Sequence, residues 1–113
     1  MEAKMSEEIK IEESSGNVFL DIGFSEEEAE RELLRVDLAF AIHGLLKEVK
    51  LTPAKASKRF GLDPNDVKRL KKMNFEYFTV ERLLVILKKL NRDVEIHIKP
   101  SNEKGRHLRV VTT

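Results

Sequence analysis

Residues 51–70, LTPAKASKRFGLDPNDVKRL, restrict the fold more than any other stretch, because two helix starts and a forced corner fall within them. Thr52-Pro53 opens a first helix: the threonine oxygen can cap an orphan amide, and proline stands where no amide hydrogen is needed. Gly61 sits where that helix must stop and the backbone must turn. Asp63-Pro64 repeats the start signal, and Asp66 occupies the acidic N3 slot of a capping box. Ala56, Phe60, Leu62, Val67 and Leu70 fit one side of the pair, and small Ser57 sits where the two helices approach most closely. The spacing predicts helices over about 53–60 and 64–72.

Two short helices around one tight corner are the layout of a helix-turn-helix, which presents its second helix to the DNA major groove. Charge points the same way. The chain carries a net +1 over 113 residues, but residues 1–32 hold eleven acids against Lys4, Lys10 and Arg31. Residues 47–72 instead hold nine Lys or Arg against Glu48, Asp63 and Asp66. A basic segment coinciding with the turn motif is the footprint expected of a nucleic-acid face.

Within that footprint, the Asn65 amide suits bidentate pairing with adenine, with helix capping as its rival role. Lys68 and Arg69 follow one turn later, and an arginine fork fits guanine or phosphate. Lys71 and Lys72 are candidates for the DNA backbone, which positions without reading sequence. Thr52, Lys55 and Lys58 flank the first helix as candidate phosphate clamps. Each lysine has the plainer alternative of a solvated helix face. Asp66 either caps its helix or brings a negative charge close to the DNA.

The remaining chain predicts one mainly helical domain. Residues 1–15 read as a flexible acidic tail with one short alternation, Ile9-Lys10-Ile11. Gly16-Asn17 marks a break, and Val18 to Phe24 form an apolar anchor. Ser25 before Glu26, Glu27 and Glu28 is a strong helix start. The helical pattern then runs to Leu46, as one long helix or two with a bend near 35–37. Residues 73–77 read as a loop, and Thr79 caps a further helix with Val80, Leu83, Leu84, Ile86, Leu87 and Leu90 on one stripe. Residues 93–99, DVEIHIK, alternate polar and apolar as a half-buried strand does. Pro100 stops it, and 101–113 reads as a turn and a weaker second strand around Leu108, Val110 and Val111. A lone hairpin is poorly supported, so Val94, Ile96 and Ile98 are expected at the interface of a homodimer.

Absent residue types exclude several functions. With no Cys, the chain has neither a disulfide framework nor a thiolate metal site, which fits a reducing cytoplasm. No apolar run approaches the roughly 18 residues of a membrane span. His43, His97 and His107 form no ligand cluster by spacing, and no phosphate loop, nucleophile elbow or paired-carboxylate arrangement is present. The expectation is a protein without metal, cofactor or enzymatic activity.

The ordered combination of GNVFLDIGF at 16–24, the turn motif at 51–70, FTVERLLVILKKLNRDVEIHIKP at 78–100 and RHLRVV at 106–111 resembles one family. It is that of the XRE-type helix-turn-helix regulators, in the branch containing HigA-like antitoxins of type II toxin–antitoxin modules. The resemblance implies a compact five-helix, lambda-repressor-like domain at 16–100 whose C-terminal strand or hairpin serves dimerisation. It implies an operator on double-stranded DNA in the protein's own promoter, and a RelE-like ribonuclease toxin as partner. The chain departs from the branch at Pro53, where Gln is usual, and at Pro64-Asn65-Asp66, where a Gln-Pro-Lys-like start is usual. Two alternatives stand beside the antitoxin: a stand-alone regulator without a toxin, or an interaction module that has lost DNA binding, to which Pro53 and Asp66 point.

Overall fold

The computed structural model describes residues 18–101 and 107–113. The expected tail at 1–15, the break at 16–17 and most of the turn at 101–105 lie outside the described residues. Five α-helices follow one another: α1 (Val18–Asp21), α2 (Glu26–Val49), α3 (Pro53–Phe60), α4 (Pro64–Lys71) and α5 (Val80–Lys89), with a 3₁₀ turn at Phe75–Tyr77. The described residues divide into two compact units. One comprises 18–33 with 101 and 107–109; the other comprises 34–100 with 110–113.

In the first unit, Gly23 turns the chain at φ +102, and the rings of Phe19 and Phe24 lie 5.5 Å apart. A reciprocal capping box starts α2. The Glu28 amide donates to Ser25 Oγ at 3.2 Å, while the Ser25 amide donates to Glu28 Oε1 at 3.1 Å. That backbone donor, followed by the serine hydroxyl, holds the Glu28 carboxyl below its ordinary value. Glu30 receives the amides of His107 and Leu108, each at 2.8 Å. Helix α2 then continues without a break through 35–37, so a single helix spans the region that permitted one or two.

The second unit holds the core. Leu38, Ala39, Ile42 and Leu46 of α2 meet Ala56, Leu62, Val67 and Leu70 of the turn motif, and Leu83, Ile86 and Leu87 of α5. Phe75 and Phe78, at the ends of the 3₁₀ segment, complete it. Non-glycine residues in the left-handed region end three of the helices: Lys50 after α2, Met73 after α4 and Asn91 after α5.

The expected strand at 93–99 is not formed, nor is one around 108–111, and no β-structure occurs among the described residues. The alternation is real, but its apolar side is not buried among the described residues: Val94, Ile96 and Ile98 are 48%, 81% and 94% exposed. Helices close their hydrogen bonds internally, whereas a strand needs a second backbone to define it.

Candidate nucleic-acid interface

Each local signal in the turn motif has a structural counterpart. Thr52 Oγ1 accepts from the Lys55 amide at 3.2 Å, with Pro53 in the first turn of α3. Gly61 ends α3 at φ +71, a conformation that suits a residue without Cβ. The Gly61 amide donates to the Ser57 carbonyl, and so does that of Leu62, at 3.0 Å. Ser57 Oγ in turn donates to the Leu62 carbonyl, so this small residue ties the corner together. At α4 the cap is Asp63, whose Oδ1 accepts from the Asn65 amide at 2.7 Å. The Asn65 side chain is thereby spared the capping role and stands exposed.

Helix α4 has two sharply different sides. Asp66, Val67 and Leu70 are buried, while Asn65, Lys68 and Lys72 are exposed. At about 100° per residue, positions 65, 68, 69 and 72 share the outward face. Arg69 is half-buried within that group: its guanidinium lies 4.4 Å from the Tyr77 ring centroid, and Nη1 lies 3.5 Å from Asp66 Oδ1. Stacking and pairing restrict its rotamers, which favours a fixed fork over a free one. Thr52, Lys55 and Lys58 are all exposed beside α3.

Asp66 corrects the reading of a cap or an outward charge. It is 5% exposed, and its Oδ2 accepts from Arg82 of α5. Oδ1 accepts no hydrogen bond and has Arg69 as its ionic neighbour. A buried carboxylate is tolerated where a cation pairs with it, so this acid braces the rear of α4. Arg82 itself lies over the Phe78 ring, 5.6 Å from its centroid.

Further long-range bonds hold the same frame. Lys89 Nζ, two turns along α5 from Arg82, donates to the Gly61 carbonyl at 3.1 Å. His43 Nδ1 donates to the Leu70 carbonyl at 2.8 Å, near the end of α4. Arg35 donates to the Phe75 carbonyl at 2.6 Å. The Lys71 ammonium donates to the Leu51 carbonyl, linking the end of α4 to the entry of α3. Arg82, Lys89 and Arg35 lie outside the motif, and nothing in their local spacing marks them as its supports. The partners are 16, 28 and 40 residues apart.

No group of three or more His, Cys, Asp or Glu able to hold a metal occurs among the described residues. No described helix is long and apolar enough to cross a membrane. What the fold presents is a capped pair of short helices, the second with a polar, basic outer face and a rear bolted to the core.

That arrangement defines a helix-turn-helix protein. The chain belongs to the helix-turn-helix domain family, whose profile matches residues 18–99. It is similar to a solved protein described as an XRE-family transcriptional regulator, with 30% identity and a TM-score of 0.62. The likeness covers 76% of this chain and 97% of that one, which places this chain in the XRE type. No curated protein matches.

Proposed function

We propose that this protein is a sequence-specific DNA-binding transcription regulator, acting as a homodimer and as the antitoxin and autorepressor of a toxin–antitoxin module. The observation that carries the DNA reading is the two-sided α4. Asn65, Lys68 and Lys72 face outward from a helix whose opposite side is locked by Asp66, Val67 and Leu70. In this reading Asn65 and Arg69 meet base edges, while Lys68, Lys72, Thr52, Lys55 and Lys58 meet phosphates. Lys71 holds the frame through Leu51. Burial of Asp66 also removes one motive for an interaction module without DNA binding, since its charge does not point outward.

The antitoxin role rests on the resemblance of the ordered motifs and on charge. A RelE-like ribonuclease must display a cationic face to RNA, and residues 1–32 are strongly acidic. A short basic open reading frame beside this gene is the expected companion. Deleting residues 1–15 should abolish toxin capture and spare operator binding; unchanged capture refutes that assignment.

The decisive experiment is a gel shift with the protein's own upstream DNA across a salt series. Affinity should fall steeply with salt, and Lys68→Ala should lower the slope of log K against log salt by about 1. Asn65→Ala should flatten sequence preference more than it lowers total affinity. A protein that binds neither its own promoter nor non-specific DNA at low salt overturns the reading.

A further inference from the structure

A second group of cations meets on the flank of α4. Between the C-terminal part of α2 and the end of α4 lies a cleft of about 390 Å³, lined by His43, Lys47 and Lys71 with no carboxylate among them. Sites for small molecules fall in the range of about 300–1,000 Å³. At about 100° per residue, Lys71 is turned well away from the side shared by Asn65, Lys68 and Lys72. The cleft is therefore separate from the face offered to DNA.

His43 is held from three directions. Its Nδ1 donates to the Leu70 carbonyl at 2.8 Å, its ring stacks with Phe40 at 5.9 Å between centroids, and it meets the edge of Phe75 at 6.4 Å. A carbonyl only accepts, so the ring proton sits on Nδ1 and the neutral ring keeps an acceptor lone pair on Nε2. Lys71, half-buried, uses one of its three ammonium donors on the Leu51 carbonyl, which holds it in place and leaves two. Lys47 is exposed, and no acid pairs with it among the described residues. The cleft thus offers two cationic donors and one neutral acceptor.

We propose that this cleft binds a small, doubly charged phosphate that also carries a hydroxyl, on phosphorus or on an attached carbon. Hydrogen phosphate is the smallest member of that class. The two ammonium groups balance the two charges and donate to the unprotonated oxygens, while the hydroxyl donates to Nε2 of His43. Sulfate has the same charge and shape but no proton to give, so it leaves the Nε2 lone pair unmet. A DNA phosphodiester has one charge and no hydroxyl, and it matches neither feature. A ligand here sits on the joint between the end of α4 and the entry of α3, since His43 is bonded to Leu70 and Lys71 to Leu51. The site goes beyond the DNA reading and does not depend on it.

An NMR titration of the full chain with inorganic phosphate, at constant ionic strength and about pH 8 where histidine is ordinarily neutral, tests the site. Phosphate should shift the His43 ring resonances saturably. Sulfate should bind about tenfold more weakly, and dimethyl phosphate more weakly still. Lys47→Ala should weaken phosphate about tenfold, whereas Lys88→Ala, the same loss of charge on α5, should leave it unchanged. His43→Phe keeps a ring between Phe40 and Phe75 without its nitrogens, so phosphate and sulfate should then bind alike. If that variant does not fold, the wild-type selectivity and Lys47→Ala decide alone. Glycerol 2-phosphate separates the sources: tighter binding than inorganic phosphate marks a hydroxylated phosphate ester as the occupant, and weaker binding marks phosphate itself. The proposal is overturned if phosphate causes no saturable shift at His43, if sulfate or dimethyl phosphate binds the wild type equally well, or if Lys88→Ala weakens binding as much as Lys47→Ala.

Discussion

Residues 51–72 and residues 92–101 begin from equally regular patterns and end differently. The first becomes two helices and a corner; the second forms no regular element and stays exposed. The difference is where the hydrogen bonds close. Thr52, Gly61 and Asp63 satisfy amides and carbonyls a few residues away, and the apolar side meets α2 and α5 in the same chain. The Val94–Ile98 alternation carries the correct period without a backbone to pair with. Periodicity therefore announces which face seeks burial; it does not supply the surface that buries it.

Substitutions in the two regions should separate most widely at apolar positions. Leu70→Ala, in the packed corner, should cost about 2–5 kcal/mol in urea unfolding. Ile98→Ala should change stability by no more than about 0.5 kcal/mol in protein dilute enough to be monomeric. A comparable loss at Ile98 would mean that the segment is packed in the single chain and would break the contrast.

The next effect concerns the brace behind α4. Arg82→Ala leaves a buried carboxylate with only the more distant Arg69 as its cation, and its cost should exceed that of Asp66→Asn, which leaves a half-exposed guanidinium able to regain water. Solvent screening around Arg82 keeps both within about 1–3 kcal/mol. Low-salt DNA affinity should fall in Asp66→Asn, because α4 loses its support. A rise would return Asp66 to the role of a charge that repels phosphate.

The smallest effect belongs to the first unit. The capping box lowers the Glu28 carboxyl below its ordinary value of 4.5, so the folded state binds its proton less readily than the unfolded chain. Its contribution is present above that ordinary value and is lost as pH falls through the lowered folded one. Ser25→Ala should remove this part of the acid-side pH dependence and leave neutral-pH DNA binding unchanged. Thermal unfolding of both proteins across the acid range reads the difference.

Legibility followed sequence distance. The starts of α2, α3, α4 and α5 and the corner at Gly61 were all readable, because the caps join residues two or three positions apart and the corner bond residues five apart. The outward side of α4 was readable from its period. The meaning of Asp66 was not: an acid at N3 has the same local signature whether it caps, repels or pairs with a distant arginine. Lys71 and Lys72 likewise looked equivalent until the first of them reached the Leu51 carbonyl. The short helix α1 and the 3₁₀ turn at Phe75–Tyr77 carried no distinct signal, being too brief for a period to develop.

What the sequence by itself determined is the set of short-range features: the caps, the left-handed corner, the charge that gathers on residues 47–72, and the polar–apolar alternation of residues 93–99. Tertiary structure alone decided which charges belong to the surface and which to the frame. It turned Asp66 inward to Arg82, joined Lys89 to Gly61 and His43 to Leu70, and left Ile96 uncovered. The physical reason is range. Local hydrogen bonds depend on neighbours the chain cannot avoid, whereas burial and ion pairing depend on surfaces that meet only once the helices have packed.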